Sequence, residues 1–394
     1  MKLFLNKFLG VTLLSVTAAA ALVACGGGGG DSSTPVVGGA PTTVESSSAA
    51  VAASIGATLI AGASADEEVY NLAADIGDTW QLVLNNKTNK YVIKVLKSQF
   101  GLMDATAADF TRITAGTIIT ITGPTGSGFS VQIDTRTKTV SGNIRMGVYN
   151  ATVAGSGYNV ANTTLLAGNY FYMGATRNVL DGGSRDNPVG SFIVAANGTD
   201  ITVCDEGIVV NNACAAIPGT NSPFIRTVAL KVSKDSSTGL IMIKDGLKDF
   251  GVLHVSAGDR GPVLILDRVG PNNDPIPVLR TGVFFAGKSM RLAGTEFNGT
   301  FNCSTNGSDF ANIVVTGTTY TVNDTQRNIS NSGTLQYNKV VGGNGLLAID
   351  VDGAAIAKNN NELLSDASLV LPLSSSLAVL TRNDGVLEIC RRAS

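Results

Sequence analysis

The run Leu240–Arg268, LIMIKDGLKDFGVLHVSAGDRGPVLILDR, decides the fold class. LIMIKDG, GVLHVSA and PVLILDR are short stretches rich in branched apolar residues, each ended by turn formers, which is a strand pattern. Asp245-Gly246 between two of them is a strong hairpin signal, because a type I′ turn needs positive φ at both central residues. Strand side chains alternate, so Val252, His254 and Ser256 fall on one face.

The same texture runs outward in both directions. QLVLNN, KYVIKVL, TIITITG, FSVQIDT and TVALKVS are further strand-like runs. Asp-Gly recurs at 181–182, 352–353 and 384–385, and Asn-Gly at 197–198, 298–299, 306–307 and 344–345. So many hairpin signals predict antiparallel meanders rather than parallel crossover units. The expected fold is all-β: tandem antiparallel β-sandwich or small β-barrel modules after a disordered Gly/Ser-rich linker.

The turns fall in a repeating order. Gly190-Ser191-Phe192 precedes Asn197-Gly198-Thr199-Asp200, as Gly299-Thr300-Phe301 precedes Asn306-Gly307-Ser308-Asp309. Upstream lie Phe171-Tyr172, Gly174 and Arg177 in one case, and Phe284-Phe285, Gly287 and Arg291 in the other. VLILDR at 263–268 answers LAVLTR at 377–382. These anchors predict a duplicated module, with copies at 166–275 and 276–394 after a β-rich region at 51–165. Ile93-Lys94 before Phe100-Gly101 parallels Ile243-Lys244 before Phe250-Gly251, which leaves a third copy open.

Composition narrows the function classes. The chain has 394 residues, 44% hydrophobic and only 15% charged, against about 25% charged in an average globular protein. Its formal charge of -2 excludes the basic footprint of a nucleic-acid binder. Without residues 1–24 the 28 basic side chains lose Lys2 and Lys7, leaving 26 against 30 acids, a net charge of -4.

The first residues carry an address. Lys2 and Lys7 precede a nearly uncharged stretch from Phe8 to Ala24 that is short for a membrane span and reads as a signal-peptide apolar core. Leu22-Val23-Ala24-Cys25 resembles the lipobox of bacterial lipoproteins. That resemblance implies removal of 1–24, acylation of Cys25 and anchoring by chains worth about 0.8 kcal/mol per buried methylene. Members that stay at the inner membrane tend to carry Asp next, so Gly26 implies outer-membrane sorting. Residues 25–50 read as a Gly/Ser/Thr/Pro tether with a reach of roughly 25–30 Å. AAVAASIGATLIAGASA, which follows, predicts a strand or short helix packed on the first module.

Four cysteines remain, an even number in an oxidising compartment. Of three possible pairings the nearest-neighbour one is favoured: Cys204 with Cys214 and Cys303 with Cys390. A zinc site fits poorly, because there is no Cys-x-x-Cys and the sole histidine, His254, is remote.

Chemical motifs fail on inspection. Gly123–Ser130 matches a phosphate loop except that Phe129 replaces its lysine and a strand pattern follows, so no nucleotide is expected. Asp350-Val351-Asp352-Gly353 starts like a calcium loop but then misplaces its glycine and puts Lys358 at a ligand position, so an Asp-Gly hairpin is expected. A serine triad would depend on His254 with Ser256 and either Asp259 or Asp267, and no nucleophile motif supports it. The reading is a non-enzymatic binding or adhesion lipoprotein with a protein or glycan partner and no cofactor. The alternatives are a structural subunit of the envelope, or a hydrolase built from carboxylates alone.

Overall fold

The computed structural model describes residues 44–178, 185–205, 207–216, 226–269, 280–305, 309–325, 328–342, 347–381 and 387–393. The lipobox, Cys25 and the glycine run lie outside them. The chain is all-β, and its strands form one curled sheet followed by two closed barrels. Among the described residues no helix is long and apolar enough to cross a membrane.

A helix, α1 (Val44–Ser54), and a short strand, β1 (Ala57–Leu59), come first. The helix therefore starts inside the segment whose composition reads as tether. Ser48, Ala52 and Ile55 recur at helical spacing and are buried, which gives the segment a face to pack.

Nine strands then form one antiparallel sheet: β2 (Glu67–Ala74), β3 (Asp78–Asn85), β4 (Lys90–Lys97), β5 (Ala108–Asp109), β6 (Thr111–Ala115), β7 (Ile118–Thr122), β8 (Phe129–Asp134), β9 (Thr139–Met146) and β10 (Tyr149–Ser156). Their order is β5-β4-β3-β2-β10-β9-β8-β7-β6. Only Phe110 separates the two edge strands, and Tyr91 of β4 stacks on Phe129 of β8 at 3.9 Å, so the sheet curls around its own core. Trp80, Leu82 and Leu84 fill that core on alternate positions of β3. Gly123–Ser130 is the β7–β8 hairpin and leads into a strand. β11 (Tyr158–Val160) pairs with β1.

The first barrel contains β12 (Gly168–Asn178), β14 (Val189–Val194), β15 (Asp200–Asp205), β18 (Arg226–Lys234), β19 (Ile241–Asp245), β20 (Lys248–Gly258), β21 (Gly261–Arg268) and β22 (Arg280–Lys288). β22 pairs with β21 and, across the seam, with β12. The anchors Phe171-Tyr172 and Phe284-Phe285 lie on these neighbouring seam strands. The backbones approach so closely there that a Cβ at Gly282 would strike the Ala175 carbonyl. A two-residue strand, β13 (Arg185–Asp186), hangs on β12. A side hairpin of β16 (Gly207–Val210) and β17 (Ala213–Ala216) sits outside the wall, and the Cys204–Cys214 disulfide fastens it to β15 (Cα–Cα 5.4 Å).

The second barrel is a continuous meander: β23 (Gly299–Ser304), β24 (Asp309–Thr316), β25 (Thr319–Asp324), β26 (Ile329–Gly342), β27 (Leu347–Asn359), β28 (Ser368–Pro372), β29 (Leu377–Thr381) and β30 (Leu387–Arg392). First and last strands meet, and Cys303 lies directly opposite Cys390, disulfide-bonded at a Cα–Cα distance of 4.0 Å.

Two turn expectations need correction. Asn197-Gly198 and Asp245-Gly246 do turn hairpins. Asp352-Gly353 instead lies inside β27, where Gly353 at φ 96° faces a register shift between Tyr337 and Lys339, with Asn338 also at positive φ. The pair bends two long strands together rather than reversing the chain. Asn298-Gly299 opens β23. The remaining four dipeptides involve residues outside the described set.

The three modules share one apolar junction. Phe171, Met173, Ile265 and Phe285 on the outside of the first barrel meet Ile356, Leu371, Leu373 and Val379 of the second, with Ala73 and Ala154 of the curled sheet. Buried polar bonds reinforce it. Arg391 donates to Gln132 Oε1 at 3.0 Å and to the Ser141 hydroxyl, tying β30 to the curled sheet. Arg136 pairs with Asp134 at 2.9 Å and donates to the Arg392 carbonyl at 3.1 Å. The Thr281 hydroxyl donates to the Asp75 carbonyl at 2.7 Å.

Candidate binding site in the second barrel

An eight-stranded barrel has an interior just wide enough to be filled by side chains or to hold one small ligand. The second barrel keeps an internal cavity of about 370 Å³. Its wall is set by strand alternation: Ala311, Ile313 and Val315 of β24, Tyr320 and Val322 of β25, and Ala378 and Leu380 of β29 all point inward. Ala311, Ala357 and Ala378 supply little volume, and that is the source of the space. Cys390 of the seam disulfide forms part of the wall.

The segment joining the barrels closes one end. Leu292 and Phe297 plug it, with Phe297 against Tyr337 at 5.8 Å between ring centroids. Asn338 holds the plug by accepting from the Leu292 amide at 2.7 Å and donating to its carbonyl at 2.9 Å. Glu296 accepts from the Ala293 and Gly294 amides at 2.5 and 2.9 Å, and these bonds help hold its carboxyl below the usual value against the opposing effect of burial.

The opposite end carries carboxylates. Asp324 ends β25 and Glu388 lies near the start of β30, both buried; Glu362 and Asp366 come from the β27–β28 connection. Glu362 accepts from the Asn359 side chain at 2.5 Å and its amide at 3.2 Å, while Asn359 accepts from the Tyr320 hydroxyl at 2.8 Å. Burial first, and the Glu362 charge second, push the Tyr320 phenol well above its usual range. Alternation from Tyr320 through Val322 to Asp324 carries the signal for one inward acid, but nothing in the sequence marks the four as neighbours.

The residues considered for catalysis lie elsewhere. Val252, His254 and Ser256 do share a strand face, buried on the outside of the first barrel. Ser256 donates to the Thr137 carbonyl, and burial lowers His254 to about 4 and leaves its Nε2 without a partner. Asp259 accepts from the Ser375 amide at 2.8 Å, and Asp267 accepts from the Thr79 hydroxyl at 2.6 Å. Ser256, Asp259 and Asp267 are thus each committed to a junction between modules. Among the described residues no three His, Cys, Asp or Glu side chains are grouped to hold a metal ion.

No family model matches the chain, and no curated protein matches it. Among solved structures it is similar to intact Ap-TbpB with its N and C lobes, at 8% identity and a TM-score of 0.16, over 80% of this chain and 66% of that one. It is also similar to a single-substitution variant of the vaccine antigen Transferrin Binding Protein B from Haemophilus parasuis Hp5, at 8% identity and a TM-score of 0.16, over 79% of this chain and 64% of that one. The chain thus spans just under two thirds of those structures. Superpositions this loose define neither a shared fold nor a shared activity.

Proposed function

We propose that this chain is a non-enzymatic binding protein of the outer membrane, anchored through lipid on Cys25, that holds its ligand in the cavity of the second barrel. One observation carries the reading: a closed, disulfide-fastened barrel keeps a cavity of about 370 Å³, within the range of small-ligand sites.

The test is saturable uptake of the neutral fluorophore N-phenyl-1-naphthylamine by residues 26–394. Wild type should bind one equivalent, and Ala378→Phe, which fills the cavity, should abolish binding while circular dichroism stays unchanged. Equal uptake by both would remove the cavity as the site. In cells, Cys25→Ser should lose acyl labelling and membrane retention.

The carboxylates support a second reading, hydrolysis by acids alone, since such enzymes need two carboxyl groups facing one concavity. Turnover of chromogenic glycosides by wild type but not by Glu388→Gln would establish it.

A further inference from the structure

We infer that three turns gathered around the end of β4 dock the chain on an anionic bilayer surface, each inserting one apolar side chain at the headgroup boundary. This contact needs neither the cavity of the second barrel nor an acyl group on Cys25.

The first observation is exposure. Leu247, Val148 and Met103 are 99%, 85% and 81% exposed, the highest values for large hydrophobic side chains among the described residues. Val148 tips the β9–β10 turn, Leu247 tips the β19–β20 turn, and Met103 lies on the connection from β4 to β5. The second is convergence. Phe100 of that connection stacks on Tyr149 at 4.6 Å, and a Cβ at Gly147 would lie 4.0 Å from Leu102, so Met103 and Val148 sit on adjoining segments. Lys97, the last residue of β4, pairs with Asp249 just past the β19–β20 turn, while Leu96 packs on Leu240, Met242 and Val252. The connection is also held in place: Ser98 accepts from the Phe100 and Leu102 amides at 3.1 Å, and Asp104 accepts from the Val95 amide at 2.7 Å. Met103 is therefore presented to water by an anchored loop.

The third is the setting of each tip. Every one is a single apolar side chain at a polar turn, whereas a protein interface is built on a densely packed core patch. A bilayer boundary accepts separate apolar groups at a common depth, with basic groups at the level of the phosphates. Arg145 and Lys248 are exposed on the same turns as Val148 and Leu247, which favours anionic headgroups.

The test is sedimentation with sucrose-loaded vesicles, using residues 25–394 with Cys25→Ser so that no acyl chain contributes. Vesicles of phosphatidylglycerol and phosphatidylethanolamine should carry the protein down. Pure phosphatidylcholine should do so more weakly, with the difference shrinking as salt rises. Leu247→Glu, Val148→Glu and Met103→Glu should each weaken partition about tenfold, and the triple variant should stay in the supernatant. Circular dichroism should not change, because all three side chains are exposed. Leu363→Glu, at an exposed position on the second barrel, should bind as wild type does. Wild type that stays in the supernatant at every lipid concentration overturns the proposal and turns these loops over to a protein partner. A triple variant that binds like wild type, or a Leu363→Glu loss as large as the others, overturns it too.

Discussion

In the first barrel the interior is crowded by rings. Tyr170 stacks on Phe192 at 5.1 Å, Tyr172 lies 6.0 Å from Phe192 and 5.9 Å from Phe284, and Ile55, Val160 and Leu166 join the same cluster from outside the barrel strands. Lys288 sits 4.3 Å above the Tyr170 ring and donates to the Ala167 carbonyl, with its ammonium lowered to about 8 by burial. What remains is a space of about 110 Å³, against about 370 Å³ in the second barrel, where alanines take equivalent inward positions. Both are closed antiparallel barrels of eight strands, so strand number does not decide which one is hollow. Side-chain volume on the inward positions does.

That contrast can be tested by treating the barrels alike. The largest effect should come from the disulfides. The chain-entropy model gives about 4.6 kcal/mol for a closed loop like Cys303–Cys390, separated by 87 residues, and about 2.7 kcal/mol for Cys204–Cys214, separated by 10. Denaturant unfolding of Cys303→Ser/Cys390→Ser should therefore show the greater loss, and should also loosen the hollow barrel at its seam. Equal losses would mean the seam bond matters no more than the one holding a side hairpin.

Next in size is acid sensitivity, which should belong to the first barrel. His254, the sole histidine, is buried there and falls from an ordinary 6.5 to about 4. The folded form resists a proton that the unfolded chain accepts, so stability is intact above pH 6.5 and declines as pH falls toward 4. The full difference is roughly 3 kcal/mol. Replacing His254 with Gln should flatten that segment of the stability–pH curve; an unchanged slope would place the titration elsewhere.

The smallest effect is the most direct comparison. Ala286→Leu adds bulk to the filled barrel and should cost about 1–3 kcal/mol, whereas Ala378→Leu adds the same bulk to the hollow one and should be nearly neutral. Thermal melts of the pair decide it. Equal penalties would mean that the second cavity cannot accept a side chain, still less a ligand.

Strand texture was legible because alternation and turn chemistry are local: Asp245-Gly246 turns the hairpin that it announces. Asp352-Gly353 shows the limit, since the same dipeptide inside a long paired strand becomes a bend once its neighbours on β26 hold the register. Barrel closure was not legible. It depends on β12 meeting β22 and β23 meeting β30, pairings between distant segments that leave no nearby signal. The cavity was hidden for a related reason. An alanine reads the same whether it abuts a ring or an empty space, and Arg391, near the chain's end, gives no hint that it is bonded inside a junction.

The Cys303–Cys390 bond also orders assembly in time. Cys204 can find Cys214 as soon as a short segment of chain is exposed to an oxidant, but Cys303 must wait until β30 arrives and the last hairpin zips onto the first. During that interval it is a free thiol facing the interior of an unfinished barrel, exposed to mispairing. Its oxidation therefore works as a completion signal: a chain in which both bonds are formed has finished its second barrel, and a chain with only the first has not.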